Sequence, residues 1–139
     1  MDYLTAIAIA LGCSAVLDDL RRGAISNWIN LTAIAGGLLY HSVHQGWRGL
    51  AMSSGGAVLG FAIFLALYCL GGMGGGDVKL MAAFGALLGP LGILTAAVLA
   101  SVIGGLMAAA SMALRRRRKA IPYGPAIVLG AWLALLAGR

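Results

Sequence analysis

The chain has 139 residues, 61% of them hydrophobic and only 10% charged. A soluble domain carries about a quarter charged residues, so this composition excludes an ordinary water-soluble fold and points to one small membrane-embedded bundle. The net charge is +6, yet there is no glutamate and the basic residues are not interleaved with aromatics. Orientation in a membrane therefore explains the charge before nucleic-acid binding does.

The first apolar run, Tyr3 to Leu17, is short for a membrane span unless it continues through Asp18 and Asp19, and Asp18 to Gly23 reads as a polar turn. It lacks a basic leading region, which argues against a cleaved signal peptide. Ile25 to Val43 reads as a second span, opened by the helix-starting residues Ser26 and Asn27, with Trp28 and Tyr40 near its ends as interfacial aromatics. A short loop, His44 to Arg48, leads to a third span, Gly49 to Leu70. Cys13 and Cys69 fall inside apolar runs with no metal-ligand spacing, and are expected to be small core residues.

From Asp77 to Leu114 the chain is apolar for too long to be one helix, roughly 57 Å against a hydrocarbon core of about 30 Å. Gly89-Pro90-Leu91-Gly92 is the expected break. The piece before it, 77–88, is short and is expected to cross only in part. A basic run, Arg115 to Lys119, precedes the last apolar run, Ile121 to Ala137, which has Pro122 near its first turn. Six spans put Arg21, Arg22, Lys79 and Arg115 to Lys119 on one face, eight of the ten basic residues. The positive-inside rule then predicts an all-α, polytopic bundle of about six transmembrane helices, with both termini on the non-cytoplasmic side. The Arg115–Lys119 run is expected to lie on anionic lipid.

Between the third and fourth spans stands Gly71-Gly72-Met73-Gly74-Gly75-Gly76-Asp77-Val78-Lys79, five glycines in its first six residues. Such a segment ends one helix and lets the backbone turn, and Asp77 then opens the next helix, where a carboxylate suits the positive dipole end. Asp18, Asp19 and Asp77 fall on the same, cytoplasmic, face. One account has them paired with Arg21, Arg22 and Lys79. The other is an aspartyl dyad: two carboxyls at hydrogen-bond distance do not both ionise readily, so they share a proton. The ionised one takes a proton from a water that attacks a peptide carbonyl, while the other donates to the carbonyl oxygen. His41 and His44 sit at the opposite face and offer no alternative chemistry.

These residues carry a resemblance. Gly74-Gly75-Gly76-Asp77 is similar to the GxGD motif of membrane aspartyl peptidases. Asp19 to Asn27, with Ile25-Ser26-Asn27 at its end, resembles the first-aspartate motif of the type IV prepilin peptidases, with Ser26 where that family has proline. Ile121-Pro122-Tyr123-Gly124-Pro125 resembles their C-terminal segment. The resemblance implies a single membrane-embedded peptidase domain over residues 1–139 and a catalytic pair of Asp19 and Asp77. On a helix Asp18 and Asp19 differ by about 100°, so only one can face Asp77, and the family register picks Asp19. Gly74, Gly76, Asn27, Pro122, Gly124 and Pro125 become residues of substrate binding or loop geometry. No metal and no cofactor are expected. The implied protein is a multi-pass protease of the bacterial cytoplasmic membrane. It removes short basic leaders of prepilin or pseudopilin substrates after a glycine, ahead of a hydrophobic helix. The small size resembles the peptidases of tight-adherence (Flp-type) pilus systems. The paired CxxC motifs of larger members are absent, so N-methyltransferase activity is not expected. Two other readings use the same carboxylates: a small transporter or channel with a proton or cation site, and a presenilin-like peptidase cutting inside a span.

Overall fold

The structure is a computed structural model and describes residues 3–22, 25–71, 73–113 and 123–138. Among these residues the fold is all-helical: α1 (Tyr3–Arg22), α2 (Asn27–Cys69), α3 (Gly75–Ala113) and α4 (Gly124–Ala137). The first three are long and apolar enough to cross a membrane. α1 runs on through the aspartate pair to Arg22, so Asp18 to Arg22 is helical where the sequence suggested a polar turn.

Two of these helices are broken inside. Gly46 in α2 has φ 59° and Gly89 in α3 has φ 73°, a region that suits glycine and interrupts a right-handed helix. The breaks fall in the loop at 44–48 and in the Gly89-Pro90 turn expected from the sequence. Pro90 has no N–H, so the carbonyl of Ala86, four residues back, has no donor within its own helix. The Ser53 hydroxyl supplies one, donating to Ala86 O at 2.7 Å in a fully buried position. The next carbonyl, Leu87 O, lies 3.0 Å from His41 Nε2. A carbonyl only accepts, so that nitrogen carries the proton. The break in α3 is thus held from both limbs of α2.

The stretch 75–88 is the centre of the molecule. Asp77, Val78 and every residue from Leu80 to Leu87 are buried, as expected of a helix that is apolar all round. The limbs of α2, 27–45 and 47–69, pack on it through glycines. Gly37 sits on Ala86, where an added Cβ would stand 2.8 Å from the backbone. Gly56 meets Gly85 and Gly89 backbone to backbone, and Gly60 meets Met81 O, with the Cβ position 2.6 Å away. Between helices in lipid, where burial gives little driving force, this close approach of small residues is what packing rests on. The paired contacts also fix direction. The first limb of α2 runs alongside 75–88 and the second runs back.

α4 packs antiparallel on the 90–113 limb of α3, Gly130 against Ala96 and Ala100. α1 leans on α4: Gly12 faces Val128 and Trp132, and the Trp132 indole N–H donates to Ala8 O at 3.1 Å. Cys13 and Cys69 differ from expectation, since both are exposed. A helix in lipid is apolar on its outer face too, so an apolar run does not tell inside from outside. Among the described residues the last helix runs from Gly124, with Pro125 in its first turn. Pro122 and the Arg115–Lys119 run lie outside the described residues.

Candidate active site

Four chain segments converge at one end of the bundle: the last turn of α1, the start of α2, the start of α3 and the start of α4. At the start of α3 the glycines turn the chain. α2 ends at Cys69, and Gly71 takes φ 80°, the left-handed conformation in which helices commonly terminate. α3 begins at Gly75, so Asp77 is its third residue, not its first. Its N–H donates to Gly74 O at 3.2 Å, and its carboxylate Oδ2 accepts the Gly74 N–H at 3.3 Å. This is the reach-back of a helix-capping carboxylate. It leaves the acid held at a helix N-terminus, buried, with 8% of its surface exposed.

Asp19 lies in the last turn of α1, half-buried, and comes close enough to Asp77 for the two charges to act on each other. Its seat is the backbone of Gly124. A Cβ there would stand 2.6 Å from Asp19 Oδ2, 3.1 Å from Cγ and 3.3 Å from Cβ. The Gly124 N–H acts on the carboxylate electrostatically, yet Oδ2 itself is buried with no hydrogen bond of good geometry.

Asp18 is turned elsewhere. Its Oδ2 accepts the backbone N–H of Ser26 at 3.3 Å and so ties the end of α1 to the residue that caps α2. The sequence left the choice between the two neighbours to register; the structure gives each a distinct contact. Asn27 Oδ1 accepts from Lys79 Nζ at 2.8 Å, so this pair joins the first turn of α2 to the second turn of α3. Lys79 thus has Asn27 as its bonded partner, where the sequence had suggested Asp77. Gly76 lies against Ile25, with its Cβ position 3.4 Å from Ile25 N. Gly74 has room, its Cβ position being 3.7 Å from Asp77 Oδ2. Of the residues singled out from the sequence, Asp19, Asp77, Gly74, Gly76, Asn27, Gly124 and Pro125 all belong to this end of the molecule. The Ser26 N–H was not foreseen, because a backbone donor leaves no mark in the residue pattern. Among the described residues no three His, Cys, Asp or Glu side chains gather as a metal site.

Comparison with known proteins adds an independent line. The model of the type IV leader peptidase family matches residues 5–109. The chain is 33% identical over 129 residues to a prepilin leader peptidase/N-methyltransferase of Aeromonas hydrophila, covering 86% of this chain and 44% of that protein. It is 41% identical over 88 residues to the protein of that name from Bacillus subtilis, covering 60% of this chain and 35% of the relative. With the one from Pseudomonas aeruginosa the identity is 30% over 142 residues, covering 98% of this chain and 39% of the relative. The chain spans less than half the length of these curated relatives. No solved structure matches it. The family match takes in both aspartates and the glycine turn between them, and the chain belongs to the type IV leader peptidase family.

Proposed function

We propose that this chain is a membrane aspartyl endopeptidase that removes the leader of prepilin-type proteins, with Asp19 and Asp77 as the catalytic pair. What supports the reading is that these two carboxylates lie at the same end of the bundle, near enough for the charge of Asp19 to act on Asp77, while Asp18 accepts the Ser26 N–H. With one carboxyl ionised and one protonated, the ionised member takes a proton from water. The oxygen of that water bonds to the scissile carbonyl carbon, and the protonated member gives its proton to the carbonyl oxygen. Collapse of the tetrahedral species breaks the C–N bond: the proton first taken from water goes to the leaving amine, and one hydroxyl of the tetrahedral carbon returns its proton to the other carboxylate as the new C=O forms. The pair ends as it began, with one proton between them.

The same proposal includes the finer features. The broken helices give six membrane passes, the site end faces the cytoplasm, and both termini lie on the other side. The protein resides in the bacterial inner membrane, and Arg115 to Lys119 contact anionic lipid there. The substrate class is a prepilin or pseudopilin of Flp type, cut after the glycine that ends a basic leader. Cleavage, without methyl transfer, is the activity proposed for these 139 residues. The test is purified protein mixed with a leader-bearing prepilin peptide and a methyl donor, with the products read by mass spectrometry. The expected products are a free leader ending in glycine and an unmethylated new N-terminus. An uncut peptide in folded protein would refute the peptidase reading.

A further inference from the structure

We infer that Tyr123 and Gly104 form a latch that positions the Asp19 carboxylate through the main chain of Gly124. The inference rests on the proposed role of Asp19. The edge of the Tyr123 ring occupies the space a side chain at Gly104 would need. A Cβ there would stand 3.0 Å from Cδ1 and 3.2 Å from Cζ, and would run into Cε1. Gly105, the next residue, has nothing within 4 Å of its Cβ position. The ring is therefore seated on one particular glycine of the 90–113 limb of α3, not on a generally open surface.

Tyr123 is the residue that caps α4, and its carbonyl accepts the Ile127 N–H at 3.1 Å. Wherever the ring is seated, the first turn of α4 follows. The next residue is Gly124, buried, with its backbone packed on the Asp19 carboxylate. Because Asp19 Oδ2 has no completed hydrogen bond, contact with Gly124 fixes its place. Moving the Tyr123 ring off Gly104 moves the surface on which Asp19 rests. Tyr123 and Gly104 are positioning residues and touch no reacting atom.

The test compares Gly104→Ala with Gly105→Ala, and Tyr123→Phe with Tyr123→Ala. Alanine is the better helix former at both glycine positions, so intrinsic propensity does not separate them. The first readout is cleavage of a leader peptide. Gly104→Ala and Tyr123→Ala are expected to lower kcat by up to about 10²-fold, the effect of a misplacement near 1 Å, with KM little changed. Gly105→Ala and Tyr123→Phe should behave as the parent does. The second readout needs no activity. Cys13 on α1 and residue 129 on α4 line one apolar cavity of about 470 Å³. Disulfide yield between Cys13 and Leu129→Cys, in a Cys69→Ser background, reports the spacing of the two helices. It should fall in Gly104→Ala and Tyr123→Ala alone. Equal behaviour of Gly104→Ala and Gly105→Ala in both readouts would overturn the latch, as would equal damage from Tyr123→Phe and Tyr123→Ala. If the parent cuts no leader peptide but the disulfide yields separate as described, the latch stands and the peptidase reading falls.

Discussion

Gly124→Ala is the sharpest single perturbation of the site. The added methyl would stand 2.6 Å from Asp19 Oδ2. Non-bonded heavy atoms settle at about 3.5–4.0 Å, so the contact is roughly 1 Å too short. Neither partner yields easily. Gly124 is buried at the start of α4, and Asp19 Cγ and Cβ are themselves within 3.1 and 3.3 Å of the same position, so turning the carboxyl alone does not clear the clash. Either Asp19 leaves its place beside Asp77 or α4 shifts outward. A displacement near 1 Å at a reacting group is worth about 10²-fold in rate. The expected result is a kcat about 10²-fold lower with the protein still folded, read by initial rates on a leader peptide alongside thermal melting in detergent. Gly74→Ala is the comparison. Its methyl would meet Asp77 Oδ2 at an ordinary 3.7 Å, so it should cost far less. Parent-like kcat in Gly124→Ala would refute the argument that this glycine seats Asp19.

Asp18→Asn should keep most activity, because an amide oxygen still accepts the Ser26 N–H that Asp18 holds at 3.3 Å; a dead Asp18→Asn beside an active Asp19→Asn, in the same cleavage assay, would move the dyad by one residue. Ser53→Ala leaves the Ala86 carbonyl buried without a donor, because Pro90 offers none, and should destabilise the folded protein by about 1–3 kcal/mol in detergent melts. Single cysteines placed at 115–119 should react with impermeant thiol reagents only from the cytoplasmic side, and one placed at 44–48 only from the other. The reverse labelling would remove the six-pass arrangement.

Much of the architecture was legible because backbone chemistry announces it. Pro90 removes a helical donor and Gly89 permits a positive φ, so the break in α3 was visible as residues. The glycine run before Asp77 announced a turn for the same reason. The position of Asp77 was less visible. A capping carboxylate and a catalytic one ask for the same residue at the same place, and the structure has Asp77 reaching back to Gly74 at the end of the bundle that also holds Asp19. What the sequence hid was tertiary. Ser53 and His41 meet the open carbonyls of α3 from 33 and 46 residues away, and no local pattern marks them. The outward direction of Cys13 and Cys69 was hidden because lipid and protein core are equally apolar solvents for a side chain. Gly124 carried a motif, but the reason it must lack a Cβ became visible only with Asp19 beside it.

The central claim is the shared chemistry of Asp19 and Asp77, and the direct measurement is cleavage of a leader peptide by Asp19→Asn, Asp77→Asn and the double variant, read by mass spectrometry. Asparagine keeps the size and hydrogen bonding of each side chain but cycles no proton. Each single variant, folded in the membrane as the parent is, should lose cleavage. General acid–base catalysis by one group is worth about 10²–10⁴-fold, and removing either member disables both roles. The double variant should then be little worse than either single one, as expected of residues that act as a unit. Normal cleavage by Asp77→Asn would contradict the aspartyl mechanism outright.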